Sequence, residues 1–143
     1  MENEIIKINV MQNQFINYNQ SLALKKLGFD EKCFGWYSQH KNKVTPHIPC
    51  SHNTDYNTVT RPWTTDEFEC CSAPLYQQAF RWFRDEYNLV FNFISYSIVK
   101  PGEYHWSITW HDVAKASGIV KTYEEAELAC LNKLIEIVKN KQD

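Results

Sequence analysis

His47, Cys50 and His52 are the tightest group of zinc-type donors in the chain, with His40 upstream and Cys70-Cys71 downstream. The spacing suits a tetrahedral site poorly. There is no Cys-x-x-Cys pair, and two adjacent cysteines rarely both reach one ion. Solvated histidines and partly buried thiols are the default reading, so neither metal nor cofactor is expected. His105 and His111 stand six residues apart on one strand pattern, about 20 Å, too far to share an ion.

Cysteine nucleophiles come next. A reactive thiolate needs a helix N-terminus or cationic neighbours. Cys70 and Cys71 precede an expected helix start at Ser72, which makes them the best-placed thiols for a Cys-dependent enzyme. Unreactive thiols at a strand end are the simpler reading. Asp66, Glu67 and Glu69 offer carboxylates at glycosidase-like spacing, but three acids in a turn usually form a solvated edge.

Binding chemistry is better represented. Between Gln39 and Trp63, the bases Lys41, Lys43 and Arg61 face Asp55 alone among acids, and three histidines add to them. Tyr56 and Trp63 interleave aromatic rings with this charge. Such a surface suits an anionic partner or a stacked base. An ordinary polar loop has the same composition. His105 and His111 add polar groups from a strand face.

Composition narrows the class. The chain has 143 residues, a formal charge of −2 and 43% hydrophobic residues, enough for a core and the length of one domain. Only 4 residues are glycine, and no glycine-rich phosphate loop is present. Aromatics are abundant at 15%, with 8 Phe, 8 Tyr and 5 Trp. A core of this size does not easily hide them all, so some are expected on an exposed patch or cleft.

The elements that position these groups can be read in turn. Residues 1–16 read as an N-terminal strand or arm. Asn17 to Leu27 reads as a helix closed by Gly28 and Phe29. Cys33 to Ser38 reads as a short aromatic strand. Residues 39–72 form a long variable segment. It is expected to hold strands near Lys43–Thr45 and Phe68–Cys71, with a mobile tip around His52–Thr58. Ser72 is expected to cap a helix over Ala73–Tyr87, with Pro74 in its first turn and Asn88 at its end. Leu89–Val99 and Tyr104–His111 read as a hairpin across a type II turn at Lys100-Pro101-Gly102-Glu103. Tyr104, Trp106, Ile108 and Trp110 alternate with His105, Ser107, Thr109 and His111, giving one packed and one polar face. Thr122 and Glu125 form a capping box for a last helix. Its buried stripe is Ala126, Cys130, Leu131, Leu134, Ile137 and Val138.

Five cysteines, an odd number, and the acidic start Met1-Glu2-Asn3-Glu4 favour reduced thiols and a cytoplasmic protein without signal or membrane segment. The order from Ser72 to Asn140 is helix, two strands, room for a third strand, and helix. It resembles a double-stranded-RNA-binding domain. Where that family places lysines, this chain has Glu124, Glu125 and Glu127, which repel phosphate. The likeness therefore implies a shared α+β arrangement, with an RNA-binding module as an alternative function.

A second resemblance covers residues 17–138. Ser72-Ala73-Pro74, Gln77-Gln78 and Trp82-Phe83-Arg84 resemble a signature of small proteins of Bacteroidota phages and prophages. Leu24–Phe29, Cys33–Tyr37, Lys100–Tyr104 and Tyr123-Glu124-Glu125-Ala126 fit the same pattern. The resemblance implies a mobile-element accessory protein of the kind that acts as an anti-CRISPR or other anti-defence inhibitor. It carries over no catalytic residues.

The combined expectation is a single α+β domain over 1–143, with an antiparallel sheet and two main helices on one face. Its expected role is a non-enzymatic binding protein inhibiting a host defence protein or ribonucleoprotein complex. Lys41, Lys43, Tyr56, Arg61, Trp63, His105 and His111 are its expected binding residues. The alternative is a small-ligand or nucleotide sponge with an aromatic cleft and Arg61 or Arg84.

Overall fold

A computed structural model describes residues 12–58 and 68–142. The fold is α+β, with three helices and two antiparallel three-stranded sheets where one sheet was expected. The chain divides into two compact units, residues 1–75 and 76–143. Arg61 and Trp63 lie outside the described residues, as do Asp66, Glu67 and most of the expected N-terminal strand.

In the first unit, α1 (Tyr18–Leu27) is held at both ends by its own sequence. The Asn17 side chain accepts the Gln20 N–H at 2.9 Å, and Gln20 reaches back to the Asn17 N–H. At the other end Gly28 turns left-handed at φ 96°. The Gly28 N–H then reaches Lys25 O, and the Phe29 N–H reaches Leu24 O.

Strand β1 (Trp36–His40) lies between β2 (Lys43–His47) and β3 (Phe68–Ser72). Both outer strands fall where the long segment was expected to hold them. Ser72, however, caps no helix. It is the last residue of β3, and its buried Oγ accepts the Tyr56 N–H at 2.8 Å. The expected mobile tip is tied down as well. Thr54 bridges Cys33, and Asn57 joins Phe29 O to the Ser72 N–H.

In the second unit, α2 (Tyr76–Tyr87) starts three residues later than the sequence suggested, because β3 extends through Ser72. It buries Tyr76, Ala79, Phe80, Trp82 and Phe83. Asn88 follows at φ 55°, as expected of a left-handed helix close. The sheet then runs β4 (Leu89–Tyr96), β5 (Tyr104–Trp110) and β6 (Val113–Val120) in sequence order. The phenyl ring of Phe91 stacks on that of Phe80 at 4.5 Å, which joins the sheet to α2.

The last helix, α3 (Tyr123–Gln142), begins as its capping signal requires, with Thr122 Oγ1 accepting the Glu125 N–H. Glu125 in turn accepts from Lys121, one residue before the cap. Ile135 replaces Ile137 in the buried stripe. Trp110, expected in the core, is half-buried with the ammonium groups of Lys115 and Lys141 over its ring.

Candidate functional site

The β4–β5 connection concentrates the exposed apolar surface of the second unit. Strand pairing ends at Tyr96 opposite Tyr104, three residues short of the strand end expected at Val99. Ser97 then closes a local turn, its Oγ accepting the Lys100 N–H at 3.1 Å. A type II turn follows directly. Gly102 takes φ 92°, and the Glu103 N–H reaches Lys100 O at 3.3 Å. Two turns in succession leave Ile98 and Val99 no strand to pack against. Each is 90% exposed.

A tyrosine cluster stands at the base of this tip. The Tyr96 and Tyr104 rings meet edge to face at 5.5 Å, and Tyr104 meets Tyr123 of α3 at 6.4 Å. The Tyr96 hydroxyl accepts the Gly102 N–H at 3.2 Å, which locks the ring to the turn. Burial, with Glu127 and Glu124 beside it, raises the Tyr123 hydroxyl above its ordinary pKa, so the phenol stays neutral. Ile98, Val99, Tyr96 and Tyr123 are all exposed by more than a third.

The neighbouring sheet surface is a half-open recess of ≈ 590 Å³ lined by His105, Trp106, Ser107, Ser117, Gly118 and Ile119. His105 lies 3.6 Å from the Glu103 carboxylate. Trp106 is buried against Gly118, where any Cβ would sit 2.6 Å from the indole.

The binding residues named from sequence do not form one group. His111 leaves the polar strand face. It occupies the two-residue β5–β6 turn with Asp112, at φ 47° and 61°, the signature of a type I′ turn. Lys41 occupies the β1–β2 turn at φ 56°, and Lys43 pairs with His40 on an exposed strand. Tyr56 is a correction. It is only 4% exposed, stacked with Trp36 at 5.3 Å, so packing accounts for it.

The thiol and metal expectations are redistributed as well. Cys71 is buried, and that burial pushes its thiol up to about 12, which removes it as a nucleophile. Cys70 pairs with Ser38 and Cys71 with Tyr37, so the two side chains leave opposite faces of β3. His47 stacks on Trp36 at 3.8 Å, with its Nε2 3.0 Å from Ser38 Oγ. Among the described residues, no three His, Cys, Asp or Glu side chains converge as metal ligands.

Sequence reasoning missed Ile98, Val99 and Tyr123. The signal was available in Ser97, which could end β4 early by bonding forward to the backbone. No family model, curated protein or solved structure matches the chain. Among the described residues, no helix is long and apolar enough to cross a membrane.

Proposed function

We propose that this chain is a non-enzymatic binding protein that docks on a host defence protein or ribonucleoprotein complex and blocks it. The observation that carries the reading is the tip of the β4–β5 hairpin. Two adjacent aliphatic side chains, each 90% exposed, stand over a cluster of partly exposed tyrosines. Exposed apolar groups concentrated this way mark a contact surface. Tyrosine is among the residues that dominate interface energetics. The anti-defence assignment follows from the likeness to phage and prophage accessory proteins. Acids at 124, 125 and 127 direct the reading toward protein surface and away from bare nucleic acid.

The test is inhibition. Purified defence nuclease complexes are assayed for cleavage of target DNA as the chain is titrated in. The proposal expects at least one complex to lose cleavage at near-stoichiometric chain, with no covalent change to the complex. Undiminished cleavage across restriction and CRISPR effectors would refute it.

The recess at His105 favours a second reading, a sponge for a small ligand. Its ≈ 590 Å³ falls within the range of small-molecule sites. A nucleotide or other small molecule released by heating the purified chain would support that reading over the first.

A further inference from the structure

We propose that Trp110, His111, Lys115 and Lys141 form a binding site for single-stranded nucleic acid, in which the two ammonium groups hold backbone phosphates and the rings stack bases. The site lies within the second unit and does not depend on the hairpin tip. Three elements build it around the half-buried indole of Trp110, the last residue of β5. The type I′ turn that follows presents the exposed His111 ring 4.6 Å from the indole and tilted 62° to it. In β6, Ala116 faces Ile108 and Ala114 faces Thr109, so Lys115 is an extra residue. A bulge of this kind re-aims a side chain, and the Lys115 ammonium lies 4.9 Å from the centre of the indole ring. The last turn of α3 brings the Lys141 ammonium to 4.7 Å from the same ring.

Folding alone does not call for this convergence. One cation–π contact covers the ring, whereas two ammonium groups on one ring repel each other. The helix dipole accounts for Lys139 and Lys141 at the end of α3. It does not account for Lys115, which joins them from β6. Among the described residues, neither Lys115 nor Lys141 is ion-paired with a carboxylate. Glu136 is held by Lys133 at 2.9 Å. Asp112, in the turn beside His111, is the one acid of residues 110–115. Glu124, Glu125 and Glu127, which turn the other end of α3 away from phosphate, begin the helix about 20 Å from Lys141. That exceeds the screening length of physiological salt.

Ammonium groups alone attract any anion. Rings beside them select an anion that carries flat π-faces along a charged backbone, which is a nucleic-acid strand with its bases unpaired. A cation–π contact at an exposed site is weak, and a charge-assisted bond to phosphate oxygen is stronger. The ammonium groups therefore exchange the indole for phosphate, and the ring face they leave takes a base.

The experiment measures fluorescence anisotropy of a labelled twelve-nucleotide oligouridine as the full chain is added at low salt, and repeats the titration as salt rises. Saturable binding that weakens with salt is expected. Lys115→Gln/Lys141→Gln should weaken it roughly ten-fold or more. It should also make the logarithmic salt slope shallower by about 1.4, the value for two phosphate contacts on a single strand. Both lysines are exposed, so the fold should survive. Lys26→Gln/Lys121→Gln removes the same charge elsewhere and should leave affinity within about two-fold of wild type. His111→Asn suits the left-handed turn but removes the ring, and should weaken binding without changing the salt slope. No binding at low salt, or equal weakening by the two double-lysine variants, would overturn the proposal. Competition by uridine monophosphate or by an oligoglutamate of matching charge as strong as that by unlabelled oligouridine would overturn it too.

Discussion

Ser97 Oγ accepts the Lys100 N–H at 3.1 Å, and the two residues between them, Ile98 and Val99, are each 90% exposed. Polar turn chemistry thus presents apolar side chains to solvent. Folding gains nothing from their exposure, which is why the proposed contact surface is placed on them.

Replacing both with aspartate should therefore separate stability from binding. Ile98→Asp/Val99→Asp is expected to change unfolding free energy by no more than about 0.5 kcal/mol per site, measured by urea denaturation. A large loss of stability would place these residues in a core that the described contacts do not contain.

Gly118 should behave in the opposite way. Its missing side chain leaves space that the Trp106 indole fills, and a Cβ would sit 2.6 Å from that ring. Gly118→Ala is expected to destabilise by about 1–3 kcal/mol, with a shift in tryptophan fluorescence as the indole moves. An unchanged melting curve would contradict this packing.

In the first unit, Ser72 holds the Tyr56 N–H in a buried contact at 2.8 Å. Ser72→Ala removes that acceptor and is expected to cost about 1–3 kcal/mol. Hydrogen exchange at the Tyr56 amide, compared between variant and wild type, reads the loss directly.

Cys50 predicts a pH dependence whose sign is fixed by its lowered pKa. The thiol moves from 9.0 down to about 7 in the folded chain. Between these values the folded protein is deprotonated and the unfolded chain still holds the proton. The contribution is therefore complete above pH 9 and is lost as pH falls through 7. Wild type should gain stability relative to Cys50→Ser as pH rises from 7 to 9. A flat difference over that range would contradict the assignment.

Local signals carried much of the fold. Gly28, Asn88, Gly102 and the Thr122–Glu125 cap each fix backbone geometry within a few residues, and each acts where the sequence placed it. What failed depends on distant partners. Ser72 has the composition of a helix cap, but its hydroxyl is taken by Tyr56, sixteen residues earlier. Tyr56 reads as an exposed aromatic among polar residues, yet Trp36 and Ser72 bury it. β4 ends at Tyr96, three residues before the expected Val99, where the Ser97 hydroxyl bonds forward to Lys100, a choice that strand propensity over 89–99 does not reveal. His47-x-x-Cys50-x-His52 was visible as a donor cluster. His47 is drawn out of that cluster by Trp36 and Ser38 of the neighbouring strand, which its spacing does not reveal.

The most direct measurement is the affinity of wild-type chain and Ile98→Asp/Val99→Asp for whichever nuclease complex the proposed inhibition assay identifies, by isothermal titration calorimetry. Two buried hot-spot residues at about 2 kcal/mol each correspond to a loss of roughly a thousand-fold. The account predicts a loss of at least about a hundred-fold with the fold intact. Equal affinity of the two chains would contradict it.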